Sequence, residues 1–269
     1  MKVSRVMCAL ALTAGLSSMA LGQVTGKVTV TGTVPVMPEI TVIKILPDCA
    51  KQHNGPVYDE KVVASPKGEL ANVVISIKTP EGKTLGKAPA DPGVLDQKGC
   101  VYTPHVVALD IGQPLLVKNS DPYLHNVHTL SIDNPAMNFG QPTVGEKKIE
   151  PFKTVETFKV KCDVHPWMYA WIVVLDNPYS AISSADEKAF GTYCMSTKDL
   201  PDGEYTFVAW HELFGTQEQK ATVTGGKAEV NFVFNADKRS EAKPYKEIQL
   251  SAGSACCGSK VAAKAVAAK

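Results

Sequence analysis

Three soft metal donors stand in one heptapeptide of this chain, Cys162-Asp163-Val164-His165-Pro166-Trp167-Met168. A thiol, an imidazole and a thioether recur at every third residue, so one tight loop can aim all three at a single point. An apolar, strand-like run over residues 169–175 follows directly. Sulfur with imidazole is the ligand set that selects copper, and a weak axial Met is typical of electron-transfer centres. A fourth donor has to arrive from elsewhere in the fold. Leu124-His125-Asn126-Val127-His128 supplies the candidate.

The rest of the chain reads as almost entirely β. Residues 24–30 and 72–78 are short runs rich in branched side chains, bounded by Gly and Pro. Similar runs recur at 105–109, 115–118, 157–161, 170–175, 204–210, 221–224 and 229–234. Many short strands with frequent turns favour sandwiches or barrels. No sustained helical period is present, although residues 180–190 have room for one turn of helix.

Composition divides the chain. Residues 23–98 begin as β and end in a loop rich in Gly, Pro and Lys at 82–96; residues 99–176 hold every candidate ligand. Residues 177–250 form a second β segment, in which Leu200-Pro201-Asp202-Gly203-Glu204-Tyr205 marks a turn into a strand. Residues 251–269 are rich in Ala, Gly, Ser and Lys, with too few large apolar groups to pack, and read as a disordered tail.

Residues 1–22 read as a secretory signal: Lys2 and Arg5, then a short apolar core, then small residues up to Gly22. The apolar stretch is too short for a membrane span. The mature chain is therefore expected in a periplasmic or extracellular space, where disulfides persist. The whole chain has 28 basic and 27 acidic side chains, so loss of Lys2 and Arg5 leaves one net negative charge. That balance points away from nucleic acid and anionic membrane surfaces. The mature cysteines are Cys49, Cys100, Cys162, Cys194, Cys256 and Cys257. An even count invites a disulfide framework, but if Cys162 binds metal the other five cannot all pair. Cys49 with Cys100 is the favoured pair; two free thiols, or another partner for Cys49, stay open.

Residues 99–176 resemble a cupredoxin, and within that family the amicyanin and plastocyanin-like blue copper proteins. The ligand-loop spacing, the Pro after His165 and the aromatic before Met168 carry the likeness. So do Tyr102-Thr103-Pro104, the Ile111-Gly112 turn and the place of His125, 37 residues before Cys162. The resemblance implies a Greek-key β-sandwich with one type 1 copper, His125, Cys162 and His165 in plane and Met168 as the long axial contact. It implies that Asn119 ties the two ligand loops together, and that electrons leave through the ring edge of His165 at the surface. Pro166, Trp167, Pro135, Met137 and Phe139 would frame that edge as an apolar docking patch for a transient redox protein. Asp163-Val164 departs from the Thr-Pro of the family and places a carboxylate near the metal. Residue 180 onward resembles a carboxypeptidase-regulatory-like (transthyretin-like) β-sandwich, whose first half residues 26–28 and 71–77 approximate. Either the flanking regions form one sandwich around the copper region, or two units follow in series.

Other histidines carry weaker signals. Residues three apart on a strand face opposite ways, so His128 should not share an ion with His125. His53, His105 and His211 read as structural. Oxidases of this family carry a His beside the type 1 Cys; Lys161 and Asp163 stand there instead, so no enzyme is expected. The leading expectation is a secreted one-electron carrier. The alternative is a secreted glycan- or protein-binding module with a structural or degenerate copper site, using Tyr179, Tyr193, Tyr205, Phe207, Trp210 and Phe214 as an exposed aromatic row.

Overall fold

The computed structural model describes residues 22–238, so the expectations for the signal segment and for the tail at 251–269 lie outside the described residues. The described chain is nearly all β. It opens with β1 (Gln23–Thr31), two single-turn helices, α1 (Val42–Ile45) and α2 (Pro47–Ala50), and β2 (Val74–Ile77). Then come β3 (Gly93–Lys98), β4 (Val101–Thr103), β5 (Val106–Asp110), β6 (Leu115–Asn119) and β7 (His125–Thr129). After them run β8 (Asn138–Gln141), β9 (Gly145–Ile149), β10 (Glu156–Lys161) and β11 (Tyr169–Leu175). The last are β12 (Ser180–Ile182), β13 (Thr192–Ser196), β14 (Gly203–His211), β15 (Gly215–Val223), β16 (Lys227–Glu229) and β17 (Phe232–Asn235).

These strands make two sandwiches. A five-stranded sheet, β5-β11-β10-β7-β8, faces a four-stranded one, β4-β3-β6-β9. Leu95, Leu115 and Val117 from the second meet Val127, Phe158, Val160 and Ile172 from the first in one core. The chain changes sheet between β4 and β5, and again between β5 and β6. The pairs β3 with β6 and β5 with β11 are therefore parallel. In the other sandwich β12-β2-β14-β15 faces β13-β1-β16, with β17 also on β1. Val28, Ile75, Ile77, Phe207, Phe232 and Phe234 share its core. Residues 23–98 thus part company: β1 and β2 pair with strands of the C-terminal region, whereas β3 pairs with β4 and β6. Both sandwiches touch at Val74, Val106 and Val173, with Trp171 edge-on to Trp210 at 5.4 Å.

Two local expectations change and one, the Cys49–Cys100 pair, holds. Residues 180–190 form β12 and a turn, not a helix; the helical turns fall at 42–50, where Pro47 sits at the first position of α2. Pro suits that position because its missing N–H has no partner to lose there. Tyr179, Tyr193, Phe207 and Phe214 are core side chains, and Trp210 packs on Trp171, so these residues form no exposed aromatic row among the described residues. Cys49 and Cys100 are bonded across a separation of 51 residues, which in the chain-entropy model stabilises the fold by roughly 4 kcal/mol. Cys194 is exposed on β13 and has no disulfide partner among the described residues.

His211 shows how tightly the outer core excludes charge. Its Nδ1 accepts from Leu213 N and Phe214 N at 3.1 and 3.3 Å, and its ring stacks on Phe214. Nε2 is buried with no partner among the described residues. Burial first, and then the field of His105, push its pKa from 6.5 down to about 3. The unfolded chain then binds a proton near pH 6.5 that the folded one refuses until about pH 3. Stability from this group is full above pH 6.5 and falls as pH drops, by at most about 1.4 kcal/mol per unit. Asp110, whose carboxyl burial lifts to about 6, works in the opposite sense, so a paired comparison isolates His211. Urea unfolding of the protein and His211→Phe between pH 5 and 7 should show the acid slope lost in the variant; equal slopes would refute the assignment.

Candidate metal centre

The neck of the heptapeptide is closed by the Lys161 and Tyr169 pairing between β10 and β11. Within the loop Cys162 N donates to Met168 O at 3.0 Å and Met168 N to His165 O at 2.9 Å, so the three donors hang from one tight turn. β7 lies against β10 in register His128 with Lys161, so the start of β7, which carries His125, runs along the heptapeptide. Alternation along β7 buries His125, Val127 and Thr129 and turns Asn126 and His128 outward.

His125 Nδ1 lies 3.0 Å from His165 Nδ1, and Cys162 Sγ 3.7 Å from the same atom of His165. All three donor atoms sit within 4.8 Å of one another. His125 is fully buried, Cys162 and Met168 nearly so, and His165 only 8 % exposed. Met168 packs in the same core as Cys162 and is tied to it through the backbone bond above. Burial alone would push the Cys162 thiol up. Hydrogen bonds from His125 and His165, and from the backbone N–H groups of His165 and Asn126, outweigh it and bring the thiol down to about 6. A thiolate and two ring nitrogens that converge in a buried space match the donor chemistry of a soft-to-borderline ion such as copper. The groupings that involve Cys49 or Cys100 are different, because a sulfur in a disulfide offers no thiolate.

Residues that the sequence reading passed over hold these donors in place. Asp121, 1 % exposed, accepts from His125 Nε2 at 2.8 Å and from Gly99 N and Cys100 N at 2.9 and 3.0 Å. Burial alone would raise its carboxyl; these hydrogen bonds hold it below the usual range instead. A carboxylate on the far nitrogen fixes the tautomer and leaves Nδ1 as the donor atom. The only local signal was its place four residues before His125. The tie between the two ligand loops is not Asn119, which bonds Tyr123 O, Gln141 O and Thr143 O. It is Asn126, whose Oδ1 accepts from Asp163 N at 3.0 Å, with Tyr102 Oη bridging Asn126 O and Lys161 O. A residue one place beyond His125 on the strand reaches the partner loop; one at the end of β6 does not.

Asp163 points away from the centre, to His128 Nδ1, Lys161 Nζ and Asn138 Nδ2 in half-exposed pairs. His53 Nε2 bonds Gly99 O and His105 Nε2 bonds Glu212 Oε1, so both serve the scaffold. The outer ring edge of His165 is not at the surface: its Nε2 lies 3.9 Å from Cys49 Sγ, under the segment that carries α1 and α2. Trp167, expected to frame an open edge, instead donates Nε1 to Cys100 O at 2.9 Å.

No family model matches the chain, and no curated protein matches it. Solved structures that resemble part of it include an oxidised proline-to-glycine variant of amicyanin (TM-score 0.29, 20 % identity), covering 37 % of this chain and 97 % of that one. A purple cupredoxin from Nitrosopumilus maritimus (0.24, 20 %) covers 28 % and 81 %. A copper-containing nitrite reductase from Thermus scotoductus SA-01 (0.28, 19 %) covers 36 % of this chain, which spans only 25 % of that protein.

Proposed function

We propose that the chain is a secreted type 1 copper protein that carries single electrons, with His125, Cys162 and His165 as equatorial ligands and Met168 as the axial one. The observation that carries this reading is a buried thiol brought down to about 6 beside two imidazole nitrogens 3.0 Å apart. Copper bound there supplies a one-electron couple. The chain's own part is rigidity: Asp121 orients His125, Asn126 and the neck of the loop hold Cys162, and core packing fixes Met168. A site that barely moves suits both oxidation states.

Lys161 and Asp163 flank Cys162 where a His would lead to a second centre, which favours a carrier over an enzyme. The Cys49–Cys100 bond and the N-terminal pattern support a periplasmic or extracellular location. Leu124 and Val164, each beside a ligand and about half exposed, favour brief docking with a redox protein. We assign residues 93–175 to the copper unit, and the two flanking segments together to a carboxypeptidase-regulatory-like sandwich. The alternative of a glycan-binding module loses its support with the burial of its aromatic row.

Adding Cu(II) to the purified protein should give intense blue thiolate-to-copper absorption with narrow hyperfine splitting, and Cys162→Ser should lack it. A colourless wild type, or a blue Cys162→Ser, would sink the proposal.

A further inference from the structure

We propose that residues 39–58 form a lid on this centre, latched by the Cys49–Cys100 disulfide, and that reduction of the disulfide opens access to His165. The inference rests on the copper reading for its purpose but not for its geometry. His165 faces two ways. Its Nδ1 meets His125 and Cys162, while its Nε2 meets Cys49 Sγ at 3.9 Å. The same disulfide reaches the other histidine as well, because Cys100 N donates to the Asp121 carboxylate that holds His125. Both imidazoles therefore abut the latch on their outer sides.

The lid is built to move as one piece. Its ends are joined by the Glu39 and Tyr58 bridge, with Ile40 N on Val57 O at 2.8 Å and Asp59 N on Pro38 O at 3.0 Å. The loop can therefore swing without disturbing β1 or β2. Its helices are one turn each, too short to hold themselves. Apart from the disulfide, it is fastened by His53 on Gly99 O, Tyr123 Oη on Asp48 O, and a small cluster around Ile43. Segments with so few buried apolar contacts open at the low end of a protein's stability range.

The chemistry is thiol–disulfide exchange with an external dithiol. Its thiolate attacks one sulfur of the latch, and its second thiol resolves the mixed disulfide. Two electrons and two protons pass to Cys49 and Cys100, and the dithiol leaves as a disulfide. Both latch sulfurs are almost fully buried, so the attack passes through a brief local opening. Closed, the lid shields the metal and the outer edge of His165; released, it lets a metal acceptor or a redox partner reach that ring.

The test uses the full chain in three forms: oxidised, reduced with dithiothreitol, and the double variant Cys49→Ala with Cys100→Ala. In metal-free protein, diethyl pyrocarbonate should modify His165 at least about tenfold faster in the reduced and variant forms, with buried His105 as the unchanged control. In copper-loaded protein under ascorbate, transfer of Cu(I) to bicinchoninate should accelerate by a similar factor. Hydrogen exchange should rise within 39–58 alone. Equal rates in all three forms would overturn the lid. So would exchange that spreads through β5, β10 and β11, including in a variant that fails to fold, because the disulfide would then be a staple of the whole sandwich. Absence of blue absorption would refute the copper reading, and the pyrocarbonate and exchange arms would still decide the lid.

Discussion

Asp121→Ala is expected to lower the unfolding free energy by about 3–5 kcal/mol, because it strands three buried donors at once. His125 Nε2, Gly99 N and Cys100 N all end on this one carboxylate, within 3.0 Å. Among the described residues no other acceptor is bonded to His125 Nε2, and Asp121 is only 1 % exposed, so water cannot easily take its place. Asp121→Asn keeps the shape but replaces one acceptor oxygen with a donor and removes the charge. It should cost less stability than alanine. Under the copper site proposed above, its effect should fall on the metal: a neutral partner makes the His125 imidazole less basic, and copper affinity should drop by about 10- to 100-fold. The reduction potential should rise, because the lost negative charge stabilised Cu(II) more than Cu(I). Urea unfolding of metal-free protein, competitive copper titration and voltammetry separate the two roles. Asp121→Asn with unchanged affinity and potential would leave Asp121 a purely structural brace.

What the heptapeptide could express was local. Donors at every third residue, a strand before and a strand after describe a loop, and loop geometry is short-range physics. The alternating runs likewise marked strands, since period-two burial is written directly in the order of side chains. Contacts made across the chain left no such trace. Cys49 and His165 are 116 positions apart, and nothing in residues 39–58 has a period that would place two helical turns on the heptapeptide. The surface edge carried over from the family for His165 failed for that reason: the ring is where the spacing puts it, and a remote segment covers it. Asn119 failed differently. The residue does brace backbone, with three carbonyls on its amide, but they belong to the β7 approach and the β8–β9 turn. Which loop a side chain reaches depends on strand register, and register between β6, β7 and β10 is fixed only when the sheets close.

The second large effect is expected where the two sandwiches meet. His105, at the mouth of β5, pairs through Nε2 with Glu212, just beyond β14; both side chains are less than 5 % exposed. Tyr169 packs edge-on against His105 on one side of the pair, with ring centres 5.0 Å apart. Trp171 N fixes the His105 carbonyl at 2.9 Å. The junction also holds the Val74, Val106 and Val173 cluster with its Trp pair, a longer contact of 3.9 Å from His105 Nδ1 to the half-exposed Glu60, and a bond from Tyr169 Oη to Asp59 at 2.9 Å. Truncating either partner leaves the other's polar group buried without its mate, which costs about 3–5 kcal/mol for a charged group. Glu212→Ala and His105→Ala should each approach that loss. The double variant should lose clearly less than their sum, because no stranded partner remains. The place of the damage is also specified: tryptophan fluorescence, which senses Trp171 against Trp210, should change at lower urea than the far-ultraviolet signal of the sheets. A loss below about 1 kcal/mol, with both probes still coincident, is the signature of an exposed pair and would show that this bridge does not hold the sandwiches together.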